Sequence, residues 1–247
     1  MKKVWLKDGN HMLSAILYEP GSNRTKTIIV CAHGLFSNKK SMTYREFTEA
    51  MKKLGIATLV FDFYGHGESS GKTEGITISI GISNILTALK YVKSLGYRNV
   101  GILGSSFGGI CSIMAASRTK ISFMMLKAPV VFNYKEVISN KRIDVKKWRK
   151  DGKILYDNGK FLGYKFYADS TRYNGYTAAR KIKIPVIIVH GSRDEIVPIE
   201  QSKKVSRIFK NCRLVVLKGA THNFTRPQLK KAISIFSDFT VEVSKRI

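Results

Sequence analysis

This 247-residue chain is short of carboxylates and cysteines and has no long apolar run. Asp and Glu total 17 against 43 Lys and Arg, a formal net charge of +26. Such an imbalance sets up a positive field that attracts nucleic acid, anionic lipid or negatively charged substrates. No nucleic-acid-binding motif accompanies it, and most basic residues are dispersed in pairs such as Lys39-Lys40, Lys52-Lys53, Lys203-Lys204 and Lys230-Lys231. A Lys-rich solvated surface is therefore expected, with no nucleic-acid partner and at most weak attraction to anionic membranes or anionic substrates. The densest run, from Lys141-Arg142 through Lys146-Lys147-Trp148-Arg149-Lys150 to Lys153, is the best candidate for a contact surface. Three cysteines (Cys31, Cys111, Cys212) are an odd number and argue against a disulfide framework; free thiols suit a reducing cytoplasm. No apolar run approaches the roughly 20 residues that span a bilayer. The segment Met1 to Gly9 lacks the apolar core of a secretory signal, so a cytoplasmic location is expected. Five scattered histidines show no zinc-site spacing, and neither metal nor organic cofactor is expected.

What is present reads as an ordinary globular chain, 44% hydrophobic and 24% charged. Val4 to Tyr18 has the pattern of an antiparallel hairpin, with turn residues Asp8-Gly9-Asn10 between apolar runs. Continuous apolar segments follow at Ile28–Ala32, Ala57–Phe61, Val100–Leu103, Ile121–Leu126, Val186–Val189 and Leu214–Leu217, as in strands covered on both faces. Between them, Met42–Leu54, Ile82–Leu95 and Ile110–Ala116 have helical character, and a last helix runs from about Gln228 to Ser244. This alternation predicts an α/β fold with a mainly parallel sheet and helices on both faces. With neither repeat nor flexible linker, residues 1–247 read as one domain. The interval before Val186 is too long for a plain crossover and predicts an inserted cap over about residues 131–183. Its Lys153–Leu162 stretch carries Asn158-Gly159 between apolar runs, a hairpin signal. Ten of the chain's aromatics fall in this interval. They form either the cap's own small core or an apolar surface for substrate, and Trp148 and Tyr164 are the expected substrate contacts.

The residues that carry chemistry begin at Gly104-Ser105-Ser106-Phe107-Gly108-Gly109, directly after the apolar stretch Asn99 to Leu103. Strand, G-x-S-x-G, then helix is the pattern of a nucleophile elbow. Small neighbours leave room for a sharply turned Ser106, and the helix start aims free N–H groups at the same point. A serine hydroxyl needs a base, and the base needs a carboxylate to fix its tautomer. Asp194 lies in the loop beyond the strand Val186–Val189, and His222 in the loop beyond Leu214–Leu217. All three groups thus leave the same edge of one sheet, where open α/β sheets build their sites.

With His33-Gly34 after the Ile28–Ala32 strand and the run Asp62 to Ser69, these motifs resemble the α/β-hydrolase superfamily, specifically its serine esterases. The resemblance extends from about Thr27 to the C-terminus. It is nearest to the cinnamoyl/feruloyl esterase and acylglycerol-lipase types, and a hairpin in the cap is more like the former. It implies Ser106 as nucleophile, His222 as general base and acid, Asp194 as the orienting carboxylate, and the N–H groups of Leu35 and Phe107 as the oxyanion hole. The implied substrate is a small-molecule ester, cleaved through an acyl-enzyme. Monoacylglycerol lipases, thioesterases, acyltransferases and peptidases use the same triad and stay open, as does a non-catalytic binder of anionic surfaces.

Other candidates carry blander readings. His33 and His66 read as loop supports, His11 as an exposed hairpin residue and His190 as a strand-end residue satisfied by backbone. Glu195 is the alternative to Asp194, and Ser105 to Ser106, but only Ser106 has glycines two residues away on both sides. Cys111 reads as packing.

Overall fold

The structure is a computed structural model that describes residues 1–21, 26–132, 143–157 and 159–246. Its centre is an eight-stranded sheet. Strands β1 (Lys2–Asp8) and β2 (His11–Tyr18) pair antiparallel around Gly9, whose φ of 57° is the turn conformation expected at Asp8-Gly9-Asn10. β2 pairs antiparallel with β4 (Ala57–Phe61). From there the sheet is parallel: β3 (Thr27–Ala32) lies between β4 and β5 (Asn99–Ser105), followed by β6 (Phe123–Lys127), β9 (Val186–Gly191) and β10 (Cys212–Leu217). The chain therefore moves outward from β3 to β4 and returns to β5 on the other side. That reversal opens a crevice beyond the carboxyl ends of β3 and β5.

Period-two alternation sorts the central strands between two cores. Ile28, Val30 and Ala32 of β3 join the core formed with α2 (Ile78–Ser94) and α3 (Phe107–Ala116). Ile29 and Cys31 face the other core, with α1 (Met42–Lys53) and the C-terminal helix Arg226–Ser244. Helices thus cover both faces, as the apolar runs predicted. Two boundaries move for local reasons. α2 starts at Ile78 instead of Ile82 because Thr77 caps it, its hydroxyl accepting the Ile80 N–H at 3.1 Å. The C-terminal helix starts at Arg226 on a capping box of Thr225 and Gln228. β10 is not buried on both faces: it closes the sheet edge, and Val216 is 43% exposed.

Between β6 and β9 the described residues form α4 (Val145–Asp151), a separate hairpin of β7 (Lys153–Asp157) and β8 (Lys160–Gly163), then α5 (Tyr164–Ser170) and α6 (Gly175–Ala179). Asn158 of the anticipated Asn158-Gly159 turn, and Lys141-Arg142 of the basic run, lie outside the described residues. Lys146, Lys147, Arg149, Lys150 and Lys153 are exposed. α4 is fastened by Asp144, which accepts the N–H groups of Lys146 and Lys147, and by Trp148, whose indole N–H donates to the Leu162 carbonyl at 3.0 Å. Trp148 has no exposed surface, and Tyr164 and Tyr167 pack against it. The hairpin leans on the loop after β3: the Lys160 ammonium donates to the Phe36 carbonyl at 3.0 Å, and the Tyr156 and Phe36 rings sit 5.5 Å apart.

Trp148→Ala is expected to lower unfolding free energy by about 3–5 kcal/mol, since it empties a buried site and orphans the Leu162 carbonyl. Urea unfolding followed by circular dichroism measures this, and a loss under about 1 kcal/mol would show that the ring is not an anchor.

Candidate active site

Ser106 stands between β5 and α3 with φ 51° and ψ −114°, a conformation that non-glycine residues rarely adopt and that is held here by close packing on both sides. A Cβ at Gly108 would lie 2.1 Å from the Ala32 carbonyl oxygen, and one at Gly104 2.5 Å from Ser112 Oγ. Only hydrogen fits at either position, so the G-x-S-x-G spacing follows from how tightly the elbow is drawn against β3. The Ser106 N–H donates to the Lys127 carbonyl at 3.1 Å, tying the turn to β6 as well.

Asp194 and His222 come off β9 and β10 and reach the same point. His222 Nδ1 donates to Asp194 Oδ2 at 2.8 Å, which leaves Nε2 to accept from the Ser106 hydroxyl at 3.1 Å. Asp194 is wholly buried as a side chain. Its Oδ1 accepts the N–H groups of Ile196 (3.0 Å) and Val197 (2.8 Å), and Oδ2 accepts from His190 Nε2 at 3.0 Å besides His222. Burial alone would raise the carboxyl's pKa; the bonds from His190 and His222 outweigh it and hold the group well below the usual carboxylate range. Glu195 is occupied differently, its carboxylate accepting the His222 backbone N–H at 3.2 Å. Ser105 lines the same cavity, but the imidazole meets Ser106.

The loop after β3 closes over the serine. A Cβ on Gly34 would come 3.3 Å from Ser106 Cβ. His33 spans two loops: its Nδ1 donates to the Gly34 carbonyl at 2.7 Å, and its Nε2 accepts the Phe63 N–H at 3.0 Å. His66 does the same one step on, donating to the Tyr64 carbonyl (2.9 Å) and accepting the Phe36 N–H (3.1 Å), which fixes Phe36 at φ 61°. Burial pushes both imidazoles below their ordinary pKa. Among the described residues, the Leu35 and Phe107 N–H groups enter none of the loop and turn hydrogen bonds around them.

Beside Ser106 is a cavity of about 200 Å³. Leu35, Phe36, Tyr156 and Ile196 form one kind of lining; Ser41, Thr43, Lys127 and Asn223 form another. Trp148 and Tyr164 are on neither. The two expected substrate contacts are engaged elsewhere: Trp148 fastens α4 to β8, and Tyr164 packs on it. Among the described residues most rings of this segment build its own core, and Tyr156 is the one that lines the cavity. His190 bonds the Val197 backbone carbonyl (3.1 Å), as its strand-end position suggested, and in addition Asp194 and the Ser202 hydroxyl (2.7 Å). His11 is half-buried against Tyr64, with ring centres 4.6 Å apart, not exposed. Of the residues missed, Lys127 left a trace in the chain, as a single charge ending the apolar run Phe123 to Leu126. Tyr156 and Phe36 left none, because their approach is a tertiary contact. Among the described residues no group of three or more His, Cys, Asp or Glu is placed to hold a metal ion, and no helix is long and apolar enough to cross a membrane.

The family model Hydrolase_4, described as serine aminopeptidase, S33, matches residues 23–154, which include the Gly34 loop and Ser106. The bovine mitochondrial palmitoyl-protein thioesterase ABHD10 is 26% identical over 187 residues, covering 72% of this chain and 60% of that protein. The chain thus spans about three fifths of that relative's length. Among solved structures, Est1E from Butyrivibrio proteoclasticus with ferulic acid bound is 25% identical, with a TM-score of 0.88 over 98% of this chain and 99% of that one. ABHD10 from mouse superposes with a TM-score of 0.81 at 19% identity, over 98% and 100% of the two chains.

His190→Leu removes one of the donors that hold Asp194 ionised, and it is expected to reduce unfolding free energy by about 1–3 kcal/mol at neutral pH. A carboxyl with a depressed folded pKa contributes stability above its unfolded pKa, and loses it as pH falls through the folded one. The deficit of the variant should therefore be constant above about pH 5 and shrink below about pH 4. Urea unfolding at a series of pH values reads this; a deficit that grows on acidification contradicts it.

Proposed function

We propose that this chain, which belongs to the serine aminopeptidase S33 family of α/β-hydrolases and is a serine hydrolase, cleaves carboxylic esters through Ser106, His222 and Asp194. The supporting observation is the unbroken hydrogen-bond chain from the Ser106 hydroxyl through both nitrogens of His222 to a buried, ionised Asp194. In the first half-reaction His222 Nε2 takes the serine proton as Oγ attacks the ester carbonyl. Asp194 stabilises the imidazolium that forms, without taking its proton. The carbonyl oxygen becomes an oxyanion held by the N–H groups of Leu35 and Phe107, each worth about 2.7–4 kcal/mol of barrier if preorganised. The tetrahedral intermediate collapses, the alkoxide leaves with the proton from His222, and an acyl-Ser106 remains. Water, deprotonated by the same imidazole, repeats the cycle and releases the acid.

The chain is read as one domain, with residues 131–183 as its cap. Within that cap Tyr156, with Phe36 opposite, supplies an aromatic wall for the acyl group. That wall, together with the likeness to Est1E, whose structure contains ferulic acid, supports an esterase of the cinnamoyl/feruloyl type acting on small-molecule esters. The likeness to a palmitoyl-protein thioesterase supports thioester cleavage as the second reading. The unpaired thiols of Cys31, Cys111 and Cys212 suit a reducing compartment, and the cytoplasm is the one proposed.

Ser106→Ala is expected to lower kcat on 4-nitrophenyl butyrate by more than about a thousandfold with an unchanged unfolding midpoint. A fluorophosphonate should label the native protein and not the variant. Undiminished turnover in the variant would remove Ser106 from the chemistry. Methyl ferulate and a palmitoyl thioester, assayed side by side, separate the two readings.

A further inference from the structure

The cavity beside Ser106 contains a cation that the ester chemistry above does not use. Lys127 ends β6, and the alternation of that strand places it on the side of Phe123 and Met125, the face covered by α1 and the C-terminal helix. It is 7% exposed. Its ammonium donates to the His222 carbonyl at 3.1 Å and rests 4.2 Å from the centre of the Phe224 ring. Among the described residues no carboxylate is within ion-pair distance of it, and with three protons an ammonium has more to donate than these contacts accept. Burial lowers its pKa to about 8, with Asp194 opposing the shift, so the group is mainly charged at neutral pH.

The same cavity is lined by Ser41 and Thr43 at the start of α1. That helix is 12 residues long and has no acidic residue in its first turn. Ser41 occupies its N-cap position without making a side-chain cap bond, and Ser41 Oγ is buried with no hydrogen-bond partner. An uncapped helix start is electropositive. The residues bearing a buried ammonium, an unpartnered hydroxyl and a helix N-terminus therefore all belong to the wall of one cavity, and no Asp or Glu is among the residues lining it. What all three lack is a compact anion.

We propose that this wall binds a carboxylate of the substrate, so that the preferred esters carry a negative charge a few bonds from the scissile carbonyl. The inference rests on the ester-hydrolase reading and narrows its substrate class. The aromatic wall of Phe36 and Tyr156 takes the uncharged part of such a molecule, and Lys127 with Ser41 takes the carboxylate. The net positive charge of the chain raises the encounter rate with any anion, but that effect is long-ranged and screened by salt, whereas a contact inside the cavity is not.

The test compares matched neutral and anionic esters in high salt. One pair, 4-nitrophenyl valerate and 4-nitrophenyl hemiglutarate, puts the carboxylate on the acyl side; the other, phenyl butyrate and 3-carboxyphenyl butyrate, puts it on the alcohol side. The expected result is a kcat/KM ratio that favours the anion in one pair. Lys127→Met should lower that ratio by about tenfold or more, and Ser41→Ala should lower it severalfold. A ratio favouring the neutral ester in both pairs overturns the proposal, as does a variant that slows both members of a pair equally. If Lys127→Met does not fold, Ser41→Ala decides alone. Fluorophosphonate labelling of Ser106 with turnover of the neutral esters but no anion preference overturns this inference only. Absence of labelling and of all turnover overturns the ester-hydrolase reading with it.

Discussion

A carboxylate with no exposed surface must find its donors within the protein, and Asp194 finds them in the Ile196 and Val197 amides and the His190 and His222 rings. Much of the site's layout follows from satisfying that one charge. The amides require the loop after β9 to curl back on itself. The His190 bond draws on the strand that carries the loop, and the Ser202 hydroxyl holds His190 from the helix Ile199–Ser206 that follows. Only then is His222 Nδ1 committed to Asp194, which leaves Nε2 facing Ser106. The tautomer that leaves Nε2 free to accept is thus set by a network reaching well beyond the three residues themselves.

A second constraint acts on the serine. Its positive φ persists because the elbow is packed so closely that Gly104 and Gly108 admit no side chain. The cost is met by the cooperative core around it: α3 lies against β3 and β5, and those strands are buried on both faces. The same tight approach brings the Gly34 loop onto Ser106, where His33 and His66 hold it from behind. Strain at Ser106 and rigidity in its surroundings are two aspects of one packing arrangement.

The polar side of the cavity changes how the positive charge of the chain is understood. Most lysines are solvated and dispersed, as their spacing suggested, and say little about function. Lys127 differs because it is buried with no carboxylate within ion-pair distance among the described residues. One lysine inside a cavity carries more chemical information than a surface full of them, since desolvation makes its unmet charge selective.

Local and periodic features were readable in the chain itself. The succession of apolar runs, the G-x-S-x-G turn and the hairpins at Gly9 and Gly159 all rest on near-neighbour sterics or on strand alternation, which operate within a few residues. What the aromatic-rich segment between β6 and β9 does with its rings was not readable. Trp148 packs under Leu162 and Tyr156 meets Phe36, and neither outcome is encoded in spacing. The same holds for His190, four residues before Asp194, and for Lys127, whose neighbours arrive from α1 and the loop after β10. Which side chain fills a core and which lines a cavity is decided by elements that meet only after the sheet has formed, and periodicity along one segment contains no record of its partner.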